Sequence, residues 1–187
     1  ENCGADWNEQ AAKKAQAYLE QCMKETNSSG GMVECVITGV PSGLGEPSFE
    51  KLDAALAKAM FSIGAVKGFA MDRIANTVGH YDAYRMNENG QITKKTNHSG
   101  GITGGISDGC PIIFRAAFKP TPSIASSQET VNRQGEEIEI KIKGRHDPII
   151  VPRAVVVVES MAALVILDAL LGSMTTRMDK IKDFFRK

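Results

Sequence analysis

A chain of 187 residues with 42% hydrophobic residues can bury a sizeable core, either as one domain or as part of a larger one. Its formal net charge is zero, which gives no support to nucleic-acid binding or to attraction by a membrane surface. The four cysteines form no Cys-x-x-Cys pair and show no ligand spacing with the three histidines, which argues against a zinc site. With no secretory leader visible, we expect reduced thiols and a cytoplasmic protein.

The first part of the chain is predicted to alternate helices and strands. Trp7 to Lys24 is rich in alanine and carries apolar side chains at helical spacing, which predicts a helix. Met32 to Val40 alternates enough to predict a strand. Ser48 is predicted to cap a second helix that runs to about Ile63, and Ala65 to Met71 is predicted to form the next strand.

The middle of the chain is predicted to be rich in strands. Residues 72–91 have weak periodicity, and the turn-forming residues Asn87 to Gly90 indicate an exposed hairpin or flap. Ile112 to Phe118 has strand character, and Glu136 to Lys143 alternates charged residues with isoleucine, as a half-exposed strand does. Strands that cluster between helical ends favour an α+β fold with an antiparallel sheet packed on long helices.

A long helix is predicted to close the chain. Pro152 is placed in its first turn, where proline is tolerated, and the helix is expected to continue towards Phe185. Residues 154–171 form the longest apolar stretch, which Glu159 and Asp168 interrupt. We therefore predict a buried helix of a soluble core and not a membrane span.

A glycine-rich run, NHSGGITGGISDG, extends from Asn97 to Gly109, and five of its thirteen residues are glycine. A backbone with so few side chains can approach a flat or charged ligand closely. The following strand ends at Lys119, which could meet an anion, with hydroxyl groups from Thr121 and Ser123 beside it. Taken alone, a solvated lysine at a strand end is the better interpretation.

A second candidate site is the loop Gly144 to Pro148, where a cation, an imidazole and a carboxylate follow one another. Arg145 could pair with a phosphate, and Asp147 could take a proton. On spacing alone, the favoured alternative is a surface loop in which the two charges neutralise each other. The Rossmann and P-loop motifs are absent from the sequence.

Several long segments in the same order resemble the chorismate synthase family. They are NHSGGITGGISDG, FKPTPSI, KGRHDP and PRAVVVVESMAALVILD, preceded by GVPSGLGEPSFEKLDAALAKAMFSIGAVKG from Gly39 to Gly68. The resemblance runs from about Gly39 to Leu171. Members of that family are roughly twice as long, so we expect residues 1–187 to be a single domain or fragment matching the family's C-terminal half, half of its β-α-β sandwich.

The resemblance implies an FMN-dependent lyase of the shikimate pathway, which converts 5-enolpyruvylshikimate 3-phosphate to chorismate with reduced FMN. Asp147 would be the acid/base residue, and His98 and His146 are not the family's functional histidines, which its N-terminal half carries. One departure is at residues 72–74, where the family usually has glycines. The implied flavin contacts are Gly64, Ala65, Gly104, Lys119, Pro120, Thr121, Pro122, Ser123 and Arg145.

The same resemblance implies a homotetramer. The zero net charge and the lack of a visible leader predict a cytoplasmic protein that binds neither nucleic acid nor membrane. NADPH is expected as a reductant, and the residues leave open whether an outside enzyme or an intrinsic activity reduces the flavin. The alternative function is a non-catalytic folded fragment or an oligomerisation module, in which the apolar helix from Pro152 onward serves as core or interface. Flavin titration and a size measurement in solution separate these hypotheses.

Overall fold

The computed structural model describes residues 9–71, 82–90, 92–142, 144 and 147–186. The chain divides into two compact units, which we call the minor unit (residues 1–31 and 119–152) and the major unit (residues 32–118 and 153–187). The helices are α1 (Glu9–Lys24), α2 (Leu52–Phe61), α3 (Val151–Ser173) and α4 (Met178–Phe185). The strands are β1 (Gly31–Ile37), β2 (Val66–Met71), β3 (Tyr84–Met86), β4 (Ile92–Lys94), β5 (Ile102–Thr103), β6 (Ile106–Ser107), β7 (Ile112–Phe118), β8 (Gln128–Val131) and β9 (Glu137–Ile140).

The core of the major unit is built on a three-stranded sheet in the order β1-β7-β2. Strands β2 and β7 pair antiparallel, with Val66 opposite Phe118 and Met71 opposite Phe114. Alternate residues of β7 are buried, as expected of a strand with one face on the core. The largest fully buried side chains of the unit are Phe114, Leu52, Leu56, Met60, Ile112 and Val158. The α+β class with antiparallel strands is therefore confirmed.

The predicted strands at 65–71 and 112–118 are found at nearly the predicted bounds. The hairpin prediction is confirmed where the chain is described, since β3 and β4 pair antiparallel across the turn at 87–90, whereas residues 72–81 and 91 lie outside the described residues. Strand β9 is shorter than predicted and exposed. It pairs with β8, which the sequence analysis did not predict.

The prediction that Ser48 caps the second helix is wrong. The residue before α2 is Lys51, and it makes no side-chain capping bond. Instead, the backbone N–H of Leu52 donates to the carbonyl of Gly105 at 2.8 Å. A distant loop thus satisfies one of the free N–H groups at the start of this helix, so no capping side chain is needed there.

The prediction that the closing helix is buried is also wrong. Only Ala154, Val158 and Ala162 of α3 are buried, and its leucines at 164, 167, 170 and 171 are at least 41% exposed. Among the described residues, α3 is the one helix that is long and apolar enough to cross a membrane. A single helix of this kind is weak evidence for a membrane span. Helix α3 ends at Ser173, and α4 is a separate helix.

Candidate functional site

The glycine-rich run folds into a tight hairpin in the major unit, which we call the glycine turn (residues 97–109). Strands β5 and β6 pair antiparallel, with Ile102 opposite Ser107 and Thr103 opposite Ile106. Gly104 and Gly105 form the tip, with φ angles of +63° and +88°. A two-residue hairpin with positive φ at both central positions is the arrangement that glycine favours most strongly.

One side of the glycine turn is held by the loop that precedes α2. The hydroxyl of Ser107 donates to the carbonyl of Pro41 at 2.7 Å and accepts from the backbone N–H of Leu44 at 2.9 Å. The backbones approach closely, because a Cβ added at Gly45 would lie 2.5 Å from the carbonyl oxygen of Gly105. Only glycine fits at such a contact.

The other side of the glycine turn is held by a buried charge cluster of Asp82, Lys94 and Asp108. The Lys94 Nζ lies 2.5 Å from Asp108 Oδ2 and 3.6 Å from Asp82 Oδ2. It also donates to the hydroxyls of Ser99 at 2.7 Å and Thr103 at 3.3 Å. The Lys94 and Asp82 side chains are each only 4% exposed, so this is a desolvated network in which each charge needs its partners.

Hydrogen bonding keeps both carboxyl groups of this cluster ionised. Burial alone would raise the pKa of Asp82, but donors from Thr96 and from the backbone N–H groups of His98 and Ser99 outweigh it and hold that pKa well below its usual value. The pKa of Asp108 is lowered in the same way against burial, chiefly by its hydrogen bond from Lys94. Burial opposes the charge of Lys94, yet its bond to Asp108 raises its pKa.

Three of the predicted cofactor contacts lie in the major unit, and their surroundings are open. A Cβ added at Gly64 or at Gly104 would meet no atom of the described residues within 4 Å. Ala65 has a φ of +71°, a left-handed conformation that is uncommon for any residue other than glycine. Such strain is often found at functional sites, where the surrounding structure holds it.

Five of the other predicted contacts lie in the minor unit, on the segment from Lys119 to Ser123. Lys119 and Pro120 are exposed. The carbonyl of Thr121 accepts from the hydroxyl of Ser28 at 2.6 Å. The Thr121 Oγ1 atom is buried and has no hydrogen-bond partner among the described residues. A buried hydroxyl is normally hydrogen-bonded, so this one calls for an explanation.

Asp147 is half-buried beside a cavity of about 190 Å³ in the minor unit. Ser28 lines the same cavity, and Pro148, which follows Asp147, accepts from the backbone N–H of Ser29 at 2.7 Å. The structure thus brings the predicted acid/base residue and the Thr121 segment to one common neighbour, Ser28. Arg145 and His146 lie outside the described residues.

Sequence reasoning missed Ser28 and the Asp82–Lys94–Asp108 cluster. Ser28 sits in an ordinary turn sequence, and the two aspartates and the lysine are spread over 27 positions without a motif. The one available signal was the position of Asp108 inside the glycine run. The predicted contacts are divided between the two units: Gly64, Ala65 and Gly104 belong to the major unit, whereas Lys119 to Ser123 and Asp147 belong to the minor unit.

The fold is that of a known class of α+β enzymes. A solved structure, described as the crystal structure of chorismate synthase, superposes with a TM-score of 0.68 at 29% identity, covering 92% of this chain and 46% of that one. A family model described as chorismate synthase matches residues 4–171. The chain belongs to the chorismate synthase family, as the resemblance indicated.

Curated relatives agree with this assignment. The chain is 62% identical over 182 residues to the chorismate synthase of Agathobacter rectalis, covering 95% of this chain and 49% of that protein. It is 60% identical over 183 residues to that of Lachnoclostridium phytofermentans, with 95% and 50% coverage. For Synechocystis sp. the identity is 50% over 169 residues, with 88% and 47% coverage. The chain therefore spans about half the length of the curated relatives it matches.

Proposed function

We propose that this chain forms the part of a chorismate synthase active site that holds reduced FMN and one proton-transfer residue. The whole reaction would be the 1,4-elimination of phosphate from 5-enolpyruvylshikimate 3-phosphate to give chorismate, in the cytoplasm. The observation that carries this proposal is the family match over residues 4–171, a range that contains every site residue predicted from the sequence.

Features of each unit, taken separately, support a flat, anionic cofactor as the ligand. No described residue is a hydrogen-bond partner of the buried Thr121 Oγ1, and a phosphate or carbonyl oxygen of a bound cofactor could accept a hydrogen bond from this hydroxyl. Gly64 and Gly104 leave room for an aromatic ring system to approach the backbone. Reduced FMN, when bound, would supply electron density that helps phosphate leave, with no net redox change.

The charged residues have separate roles in this proposal. Lys119 is exposed and can meet an anionic group of the cofactor or substrate. Arg145, which lies outside the described residues, is proposed to add a second positive charge. Positive groups held in place before the reaction stabilise the charge that develops on a departing phosphate without further rearrangement.

Asp147 is proposed as the residue that accepts or relays a proton. It lines the cavity beside Ser28, and the carbonyl of the following Pro148 fixes its loop to Ser29. A side chain that transfers protons must be held in place, because the transfer needs hydrogen-bond distance. The backbone bond from Ser29 to Pro148 supplies this restraint to the loop.

The activity is best tested in a chimeric protein that has the full length of a relative. A chimera would replace, in the Agathobacter rectalis protein, the segment that this chain matches at 62% identity. We expect the chimera to release phosphate from the substrate with reduced FMN, and the 187-residue chain alone to release none. A folded, flavin-binding chimera without turnover would contradict the proposed reaction, and robust turnover by the chain alone would contradict the proposal that its site is partial.

The place of Gly104 at the cofactor can be tested by Gly104→Ala in this chimera. The added methyl group has no atom of the described residues within 4 Å, so beyond the backbone strain of alanine at a positive φ, a steric effect on binding arises from the ligand. We expect FMN affinity to fall at least ~10-fold, since a methyl group between backbone and ring prevents close approach. Titration followed by flavin fluorescence measures the change.

Gly90→Ala is the matched control. Gly90 has a φ of +73°, close to the +63° of Gly104, and it too has no atom within 4 Å of an added Cβ. The two variants therefore carry similar backbone strain in a tight turn. Equal affinities of both variants for FMN would show that Gly104 does not contact the cofactor.

A second candidate function is oligomerisation, which the apolar surface of α3 favours. Val156, Leu164 and Leu171 are each more than half exposed, and contiguous apolar surfaces of this kind usually mark interaction sites. We expect the chimera to form a homotetramer. Light scattering coupled to size-exclusion chromatography measures the mass, and a monomer at micromolar concentration would contradict this expectation.

A further inference from the structure

The role of the buried ammonium group of Lys94 is not explained by the proposed reaction. Its side chain is 4% exposed, and its hydrogen-bond and ion-pair partners among the described residues include none of those predicted to bind cofactor or substrate. Burying a lysine is unfavourable unless its charge is paired and hydrogen-bonded. Here Lys94 has four acceptors around it, of which Ser99, Thr103 and Asp108 belong to the glycine turn and Asp82 does not.

We propose that Lys94 is a positioning residue that, with Asp82 and Asp108, fixes the glycine turn in the shape that receives the planar cofactor. The inference rests on the proposed function, because it assumes that Gly104 faces the flavin. Lys94 itself would act through the turn and not by touching the cofactor.

The cluster fastens the start of the glycine turn through Asp82. One carboxylate oxygen of Asp82 accepts from the backbone N–H of His98 at 2.8 Å, and the other accepts from that of Ser99 at 2.9 Å. Lys94 then lies 3.6 Å from the second oxygen and donates to the hydroxyl of Ser99. The first residues of the turn are therefore held both by a carboxylate and by the ammonium group that neutralises it.

The same ammonium group fastens the end of the turn through Asp108. Asp108 Oδ2 accepts from Lys94 and from the hydroxyl of Thr103 at 3.1 Å, while its Oδ1 accepts from the backbone N–H of Cys110 at 3.0 Å. Thr103 directly precedes Gly104 and also receives a bond from Lys94. The network thus reaches the residue next to the open tip.

A glycine-rich backbone does not hold its own shape, since glycine has the largest conformational freedom to lose. The cluster supplies the missing restraint. Without Lys94, two carboxylates would remain buried close together with no cation between them, an arrangement that is strongly unfavourable. They would separate or take up a proton, and either change loosens one end of the turn.

The test is Lys94→Met in the 187-residue chain and in the chimera. Hydrogen exchange is followed at two amides of the turn, Gly101, which donates to Asn97 Oδ1, and Asp108, which donates to the carbonyl of Gly101. We expect both to exchange at least ~10-fold faster, while the amide of Phe114 in β7 is unchanged. In the chimera, FMN affinity is expected to fall at least ~10-fold.

Two further variants separate positioning from general stability. Val158→Ala removes two buried methyl groups from α3, outside the cluster, and is expected to lower the stability of the fold to a similar extent as Lys94→Met. It should nevertheless leave the hydrogen exchange of the two turn amides and the affinity for FMN unchanged. The double variant Lys94→Met with Asp108→Asn restores the cluster's net charge of one negative, and it should fold and recover part of the protection. Recovery of FMN affinity should follow recovery of protection.

Each outcome supports or overturns the inference. Unchanged exchange at Gly101 and Asp108 in the single and double variants would overturn it. Faster exchange with undiminished FMN affinity in the chimera would overturn the link to the cofactor. If the unsubstituted chimera binds no FMN, the proposed function is contradicted. Faster exchange in its Lys94→Met variant would then still show that Lys94 orders the glycine turn.

Discussion

Replacing Asp147 by asparagine is expected to lower phosphate release by the chimera ~10²- to 10⁴-fold, because that is the usual contribution of a positioned proton-transfer group. The amide has the size of the carboxylate but cannot accept a proton at neutral pH. Binding of FMN should change little, since the substitution leaves the cavity beside Ser28 the same shape. Rapid quenching with detection of inorganic phosphate measures the rate, and flavin titration measures the affinity.

Glu129→Gln is the control for that experiment. Glu129 is an exposed carboxylate on β8 in the same unit, and the substitution makes the same chemical change. Its turnover should equal that of the unsubstituted chimera. If Asp147→Asn retains more than about a tenth of the turnover, general acid–base work by Asp147 is excluded and its carboxylate is only a structural part of the loop.

The elements of the fold that could be predicted are those that their own consecutive residues specify. Strand β7 is a short run of aliphatic and aromatic residues, so its strand character is visible in the sequence, and in the structure its residues alternate between buried and half-buried. The start of α2 could not be predicted in the same way. Its first N–H is satisfied by Gly105, more than fifty positions away, and no local residue signals that bond.

The burial of α3 was misjudged for a different reason. An apolar stretch predicts that a helix is covered, but it does not say what covers it. Within the described residues only three α3 side chains are buried, although the stretch from Ala154 to Leu171 is almost wholly apolar. An apolar composition indicates that the helix surface is more stable when it is buried. Which surface covers it depends on tertiary or quaternary contacts that composition does not specify.

The candidate site also has features that follow from consecutive residues and features that depend on contacts between distant residues. The glycine turn and the segment at Lys119 to Ser123 could be recognised because their residues are consecutive. The buried Lys94 and the Thr121 hydroxyl, which has no partner among the described residues, could not, since both depend on which distant groups surround them. Family resemblance predicts the first kind of feature, and only the three-dimensional structure shows the second.

The close contact between Gly45 and the glycine turn leads to a large expected effect on stability. Gly45→Ala would place a methyl group 2.5 Å from the carbonyl oxygen of Gly105 and 2.8 Å from the Cβ of Leu52. We expect it to lower the free energy of unfolding by about 3 kcal/mol or more, because overpacking adds to the strain of alanine at a φ of +102°. Urea denaturation of the 187-residue chain measures the change.

Gly43→Ala isolates the part of this effect that comes from the contact. Gly43 lies in the same loop at a φ of +96°, and an added Cβ there has no neighbour within 4 Å. It should therefore show the backbone strain alone, roughly 1–2 kcal/mol. Equal losses in the two variants would mean that the contact with Gly105 is not needed for stability. A larger loss at Gly45, accompanied by faster exchange of the Leu52 amide that donates to Gly105, would show that one backbone contact joins the start of α2 to the tip of the glycine turn.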